Sequence, residues 1–185
     1  MVSVNSLRSG GKFLLEDQPH VTLDNEHVKP GKGQAFNRIK ARNLVTGRVI
    51  TKTYPSNSDV EGADVLETEM QMLYQDAEGY HFMDDTTYEQ FMLTKEELAG
   101  AERWLVDSST ATVTVWRGKA ISVEPPTFVE LIVAECAPNA KGDTVSGGTK
   151  AAVLETGFEI KVPLFIAQGE RIKVDTRTAE YVSRV

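Results

Sequence analysis

Lys29-Pro30-Gly31-Lys32-Gly33-Gln34-Ala35-Phe36 is the stretch whose residue types make the sharpest demands on the backbone. Pro30 presets φ, and Gly31 and Gly33 permit positive φ on both sides of Lys32, so this lysine is expected at the exposed apex of a turn. The chemistry open to it there is that of an ammonium donor facing phosphate or carbonyl oxygens. On the strand expected to follow, a period of two places Phe36, Arg38, Lys40 and Arg42 on one face. Ala35, Asn37, Ile39 and Ala41 fall on the other. A basic strip therefore leads away from the tip. By pattern alone, an ordinary polar hairpin with solvated lysines fits equally well. The functional reading gains weight from the conjunction of two loop lysines, flanking glycines and an acid-free surround.

Charge is sharply segregated. The net charge of -7 disfavours a polyanionic partner at first sight. From His27 to Ser58, however, there is no Asp or Glu, while Lys29, Lys32, Arg38, Lys40, Arg42, Arg48 and Lys52 are all positive. From Asp59 to Glu97 the balance reverses, with Lys95 the lone cation. A polyanion would orient such a molecule before contact, attracting one end and repelling the middle.

Other constellations are weaker. Gly142 to Thr149 approaches a phosphate-loop spacing, but Gly148 stands where the lysine should be. His20, His27 and His81 lack metal-ligand spacing, so no metal site is expected. Asp84-Asp85 is expected on a solvated acidic face. Trp104 and Trp116 occupy strand-like positions and are expected in the core. Cys136, the single cysteine, sits in an apolar strand and reads as a buried structural thiol. No catalytic residues and no cofactor are expected. No apolar run reaches the roughly 18 residues of a membrane span, and Met1 to Gly10 lacks the core of a signal peptide. A cytoplasmic monomer with no membrane partner is expected.

These residues must be positioned by short alternating or β-branched runs separated by turns, so the chain is expected to be mainly β. Three segments emerge: 1–62, a small curved sheet carrying the Lys32 hairpin; 63–126, acidic; and 127–185. In the second, Thr94-Lys95-Glu96-Glu97 has the form of a capping box opening a short helix. Five short strands with one helix suit an OB-type barrel there. Pro125-Pro126 denies two ladder donors in succession and marks the next boundary. The third segment resembles the second in length and strand number, which allows two barrels in tandem. A Gly, Ser and Thr-rich loop from Pro138 to Lys150 interrupts it.

The run Lys29 to Phe36 resembles the tip of the first domain in the bacterial elongation factor P family. Glu61 to Val65, His81 to Met83, Pro126 to Leu131, Lys141 to Thr144, Lys161 to Phe165, Lys173 to Arg177 and Tyr181 to Val185 resemble that family in the same order. The resemblance implies a KOW/SH3-like N-terminal β domain followed by two OB-type β-barrels. It implies a non-catalytic translation factor that binds the ribosome beside P-site prolyl peptidyl-tRNA and relieves stalling at consecutive prolines. Lys32 matches the family's modification site, which a lysine-modifying enzyme extends with a β-lysyl or other group. Lys29, Pro30, Gly31, Lys32, Gly33, Arg38, Lys40 and Arg42 would then face RNA. Gly142, Asp143 and Thr144 match a loop approaching the E-site mRNA codon. Tyr181 and Arg184 match residues contacting the P-site tRNA, with closure of the barrel core as the other reading of Tyr181. A general OB-fold single-stranded RNA-binding protein, using the hairpin only for affinity, is the alternative.

Overall fold

The computed structural model describes residues 1–138 and 148–185. Packing divides the chain into two compact units, residues 1–68 with 113–122 and residues 69–112 with 123–185. The architecture is nearly all β, as the alternating runs require.

The first sheet grows from the N-terminus. β1 (Val2–Ser3) leads into a 3-10 turn at Val4–Ser6, then β2 (Lys12–Leu15), β3 (Gln18–Val28), β4 (Phe36–Asn43), β5 (Val49–Pro55) and β6 (Asp59–Val60). The sheet order is β2-β3-β4-β5, and β1 pairs with β6. Alternation along β4 sets its faces: Asn37, Ile39, Ala41 and Asn43 are buried, while Arg38 and Lys40 are exposed. Val4, Leu7, Phe13, Ile39, Ala41 and Val60 form the core beneath. At one end of the β4–β5 pair, Asn43 Oδ1 accepts from the amides of Val45 at 2.8 Å and Thr46 at 3.0 Å, and Gly47 takes φ 72°. At the other, the β3–β4 ladder runs out to Val28 opposite Phe36 and leaves Lys29 to Ala35 as its connection.

The next sheet comprises β7 (Val65–Gln75), β8 (Tyr80–Met83), β9 (Gln90–Leu93), β10 (Thr110–Trp116) and β11 (Lys119–Glu124), in the order β11-β10-β7-β8-β9. β9 spans only four residues, too few to display a clear period. It packs so closely on the β8 turn that a Cβ at Gly79 would overlap the Leu93 carbonyl. Between β9 and β10 lie α1 (Lys95–Leu98) and a 3-10 turn at Ala101–Trp104. The expected capping box is present: Glu97 Oε2 accepts from the Thr94 amide at 2.9 Å, and Thr94 Oγ1 accepts from the Glu97 amide at 3.3 Å.

The last sheet comprises β12 (Phe128–Cys136), β13 (Thr149–Leu154), β14 (Glu159–Pro163), β15 (Arg171–Asp175) and β16 (Glu180–Arg184). Its order is β14-β13-β12-β15-β16, and β14 also meets β16, so the sheet closes into an OB-type barrel. Leu131, Val133, Leu154, Ile160, Val162, Ile166, Ile172 and Val174 fill it, together with Trp104 from the 3-10 turn.

Four expectations are corrected. Trp104 is core, at 6 % exposure, but lies on a 3-10 turn and not on a strand, with Phe158 edge-on at 5.0 Å. Trp116 is half-buried under the Arg117 guanidinium, 4.4 Å from its ring centre. Cys136 is half-buried at a strand end, its thiol 3.7 Å from the Ile166 carbonyl. Asp84 is buried, at 8 % exposure, and its Oδ1 accepts from the amides of Thr86 and Thr87 at 2.7 and 3.0 Å. It shapes a turn; Asp85 alone is solvated.

Candidate nucleic-acid interface

The β3–β4 connection presents Lys29, Pro30, Gly31, Lys32, Gly33 and Gln34 to solvent. Gly33 takes φ 112°, a conformation that strains any L side chain, and Pro30 Cγ lies 3.7 Å from where a Cβ would stand. Gly31 does not use the freedom its missing side chain permits, and of the two flanking glycines only Gly33 takes positive φ beside Lys32. The loop is tied at its far side, where the Ser56 amide donates to the Ala35 carbonyl at 3.0 Å. Among the described residues neither Lys29 nor Lys32 has an acidic partner.

The strip behind the tip is different. Arg38 and Lys40 are exposed and Arg42 is half-buried, on the face that alternation predicts. Pairing places Glu26 opposite Arg38 and Asp24 opposite Lys40, and Arg38 Nη1 lies 3.2 Å from Glu26 Oε2. The segment that is free of acids in sequence is not free of them in space, because β3 carries its acids to β4. Lys29 and Lys32 stand beyond the last rung of that ladder, past the β3 acids.

Tyr181 is half-buried, packs on the C-terminal core and meets Phe165 edge-on at 6.5 Å. Arg184 is exposed, with Nη1 3.3 Å from Glu170 Oε1. Gly142, Asp143 and Thr144 lie outside the described residues. In the turn after β15, Arg177 grips Asp175 through two bonds, Nη2 to Oδ2 at 2.7 Å and Nε to Oδ1 at 3.1 Å. Those bonds hold the Asp175 carboxyl down at about 2. His20, His27 and His81 stay apart, and His81 Nε2 is engaged by Asp76 at 2.9 Å. Among the described residues, no cluster of three His, Cys, Asp or Glu could hold a metal, and no helix is long and apolar enough to cross a membrane. Sequence reasoning missed the polar side chains Asn25, His27, Asn37 and Ser56 at the base of the hairpin. The pairing of β3 with β4 gathers Asn25, His27 and Asn37, and the pairing of β4 with β5 delivers Ser56 to them.

Three family models cover nearly the whole chain: the elongation factor P KOW-like domain at residues 3–60, its OB domain at 65–123 and its C-terminal domain at 129–184. The chain belongs to the elongation factor P family. It is 48 % identical over 184 residues to the elongation factor P of Magnetococcus marinus, covering 100 % of this chain and 98 % of that protein. Two solved structures share the fold. One is eukaryotic translation initiation factor 5A from Methanococcus jannaschii, with TM-score 0.56 and 24 % identity over 67 % of this chain and 91 % of that one. The other is an initiation factor 5A family protein from Naegleria fowleri, with TM-score 0.50 and 18 % identity over 66 % of this chain and 93 % of that one. Elongation factor P is a translation factor and not a catalytic enzyme, and membership implies interaction with the ribosome.

Proposed function

We propose that the protein binds the ribosome beside P-site prolyl peptidyl-tRNA and promotes peptide-bond formation at consecutive prolines, with Lys32 as its working group. The observation that carries this reading is the pair of exposed lysines without acidic partners at the hairpin tip of an elongation factor P chain. Proline is a constrained and slow acceptor. Ordering the CCA end of the tRNA and the nascent chain into a reactive pose lowers that barrier without any acid, base or nucleophile from the factor. An ammonium on a fixed loop suits this task, because it forms charge-assisted bonds to backbone or phosphate oxygens of the tRNA. Extension of Lys32 Nζ by a β-lysyl type of group, added by a modifying enzyme, would carry the charge deeper. Arg38, Lys40 and Arg42 then contact RNA along the hairpin, Tyr181 and Arg184 contact the tRNA, and the loop containing Gly142, Asp143 and Thr144 approaches the E-site codon.

The test is a diproline reporter in cells lacking the gene. Wild-type protein restores translation and Lys32→Ala does not; full restoration by Lys32→Ala rejects the mechanism. Intact-mass measurement of protein from its native host reads the modification directly.

A further inference from the structure

A chain of amides at the base of the hairpin fixes the proton of a histidine that the lysine reading does not use. Asn25 Nδ2 donates to two main-chain carbonyls, Val4 and Leu7, each at 2.9 Å. Carbonyls only accept, so this orientation is forced and Asn25 Oδ1 must face the other way. There it accepts from Asn37 Nδ2 at 2.9 Å, which in turn aims Asn37 Oδ1 at Ser56 Oγ, 2.6 Å away, and at His27 Nδ1, 3.1 Å away. Ser56 Oγ also lies 3.1 Å from His27 Nδ1. Asn37 is 2 % exposed, so water cannot relieve a mismatch at its oxygen. A bare Nδ1 would set two acceptors against each other, and the single Ser56 hydroxyl proton could satisfy only one of the short contacts. With a proton on Nδ1, Ser56 donates to Asn37 Oδ1 and Nδ1–H donates to the same pair of oxygens. Every contact is then satisfied. Neutral imidazole carries one N–H, so Nε2 keeps its lone pair.

His27 is exposed and lies opposite Asn37, one rung below the Val28–Phe36 pair that closes the Lys32 loop. Among the described residues, none partners Nε2. A neutral acceptor cannot bond phosphate oxygens, which Lys29 and Lys32 are placed to meet. It fits the sole donor of the RNA sugar-phosphate backbone, the ribose 2′-hydroxyl. We infer that His27 is an RNA-contacting residue of the hairpin, its Nε2 accepting a hydrogen bond from a ribose 2′-hydroxyl of the P-site tRNA acceptor strand. This rests on the proposed ribosomal role.

Nitrogen NMR of the wild-type protein at about pH 8, above the ordinary histidine range, should show His27 as the Nδ1–H tautomer; an Nε2–H tautomer overturns the proposal. In His27→Asn the amide nitrogen can stand where Nδ1 stood, with nothing at the Nε2 position. Its affinity for ribosomes carrying P-site tRNA should fall about five- to tenfold, the scale of one hydrogen bond, with the thermal unfolding midpoint unchanged. His27→Gln, whose amide reaches the outer position, should lose less. Ribosomes whose P-site tRNA has a 2′-deoxy acceptor strand should bind wild type and His27→Asn equally. Equal affinity of the two proteins on ordinary tRNA, or a persistent difference on the deoxy strand, overturns the contact while leaving the Lys32 mechanism standing. Failure of the wild type itself to bind removes the ribosomal role and this contact with it.

Discussion

At the scale of single residues, the value of a charge depends on what folding sets beside it. Arg38 and Lys32 are equally cationic in the sequence, yet Arg38 meets Glu26 across the β3–β4 ladder while Lys32 stands beyond the last rung. Exposed pairs of the Arg38 type contribute little to stability but cancel charge locally, whereas the tip lysines keep theirs. The Asp175–Arg177 pair acts on pH dependence instead. The two guanidinium bonds hold the Asp175 carboxyl at about 2, below its ordinary 3.8. A carboxyl depressed on folding stabilises the fold above its unfolded value and loses that contribution as pH falls through its folded one. In Arg177→Gln the Asp175 titration, followed by carbon NMR, should move up toward 3.8. Acid unfolding should then begin at higher pH, and an unmoved Asp175 titration contradicts the assignment.

Among the elements, α1 shows how a short helix survives. Four residues cannot sustain a helix by propensity, and reciprocal capping by Thr94 and Glu97 satisfies two orphan amides at its start. At its end Ala99 and Gly100 take φ 50° and 98°, turning the chain into the 3-10 segment. Thr94→Ala should cost about 1 kcal/mol, read as a lower urea midpoint at constant slope. Thr94→Ser should retain most of the stability, since the hydroxyl remains. The capping box was legible because its chemistry is local. β9 was not, because its existence depends on an edge supplied by β8 and on the missing side chain at Gly79.

At the scale of the whole molecule, Trp104 decides how segments distant in sequence become one packed unit. Its indole belongs to the core built from β12 to β15, and the turn around it is held there by Thr156 Oγ1, which donates to the Arg103 carbonyl at 2.7 Å. The Arg103 guanidinium lies over Phe158 at 4.9 Å, covering the same contact. Trp104→Ala should destabilise this unit by about 3–5 kcal/mol, measured by chemical denaturation; a loss below about 1 kcal/mol would contradict the role of a core anchor. By itself the sequence determined the mainly β class, the inward and outward faces of β4, the capping box and an exposed Lys32, because alternation, capping and proline–glycine turns act over a few residues. Only the tertiary structure decided that Glu26 neutralises Arg38, that Asp84 is buried, that Trp104 serves another segment's core, and that Asn25, Asn37, Ser56 and His27 form one chain of hydrogen bonds. Those outcomes depend on strand pairing and on which surfaces meet, and partners far apart along the chain leave no periodic signature in it.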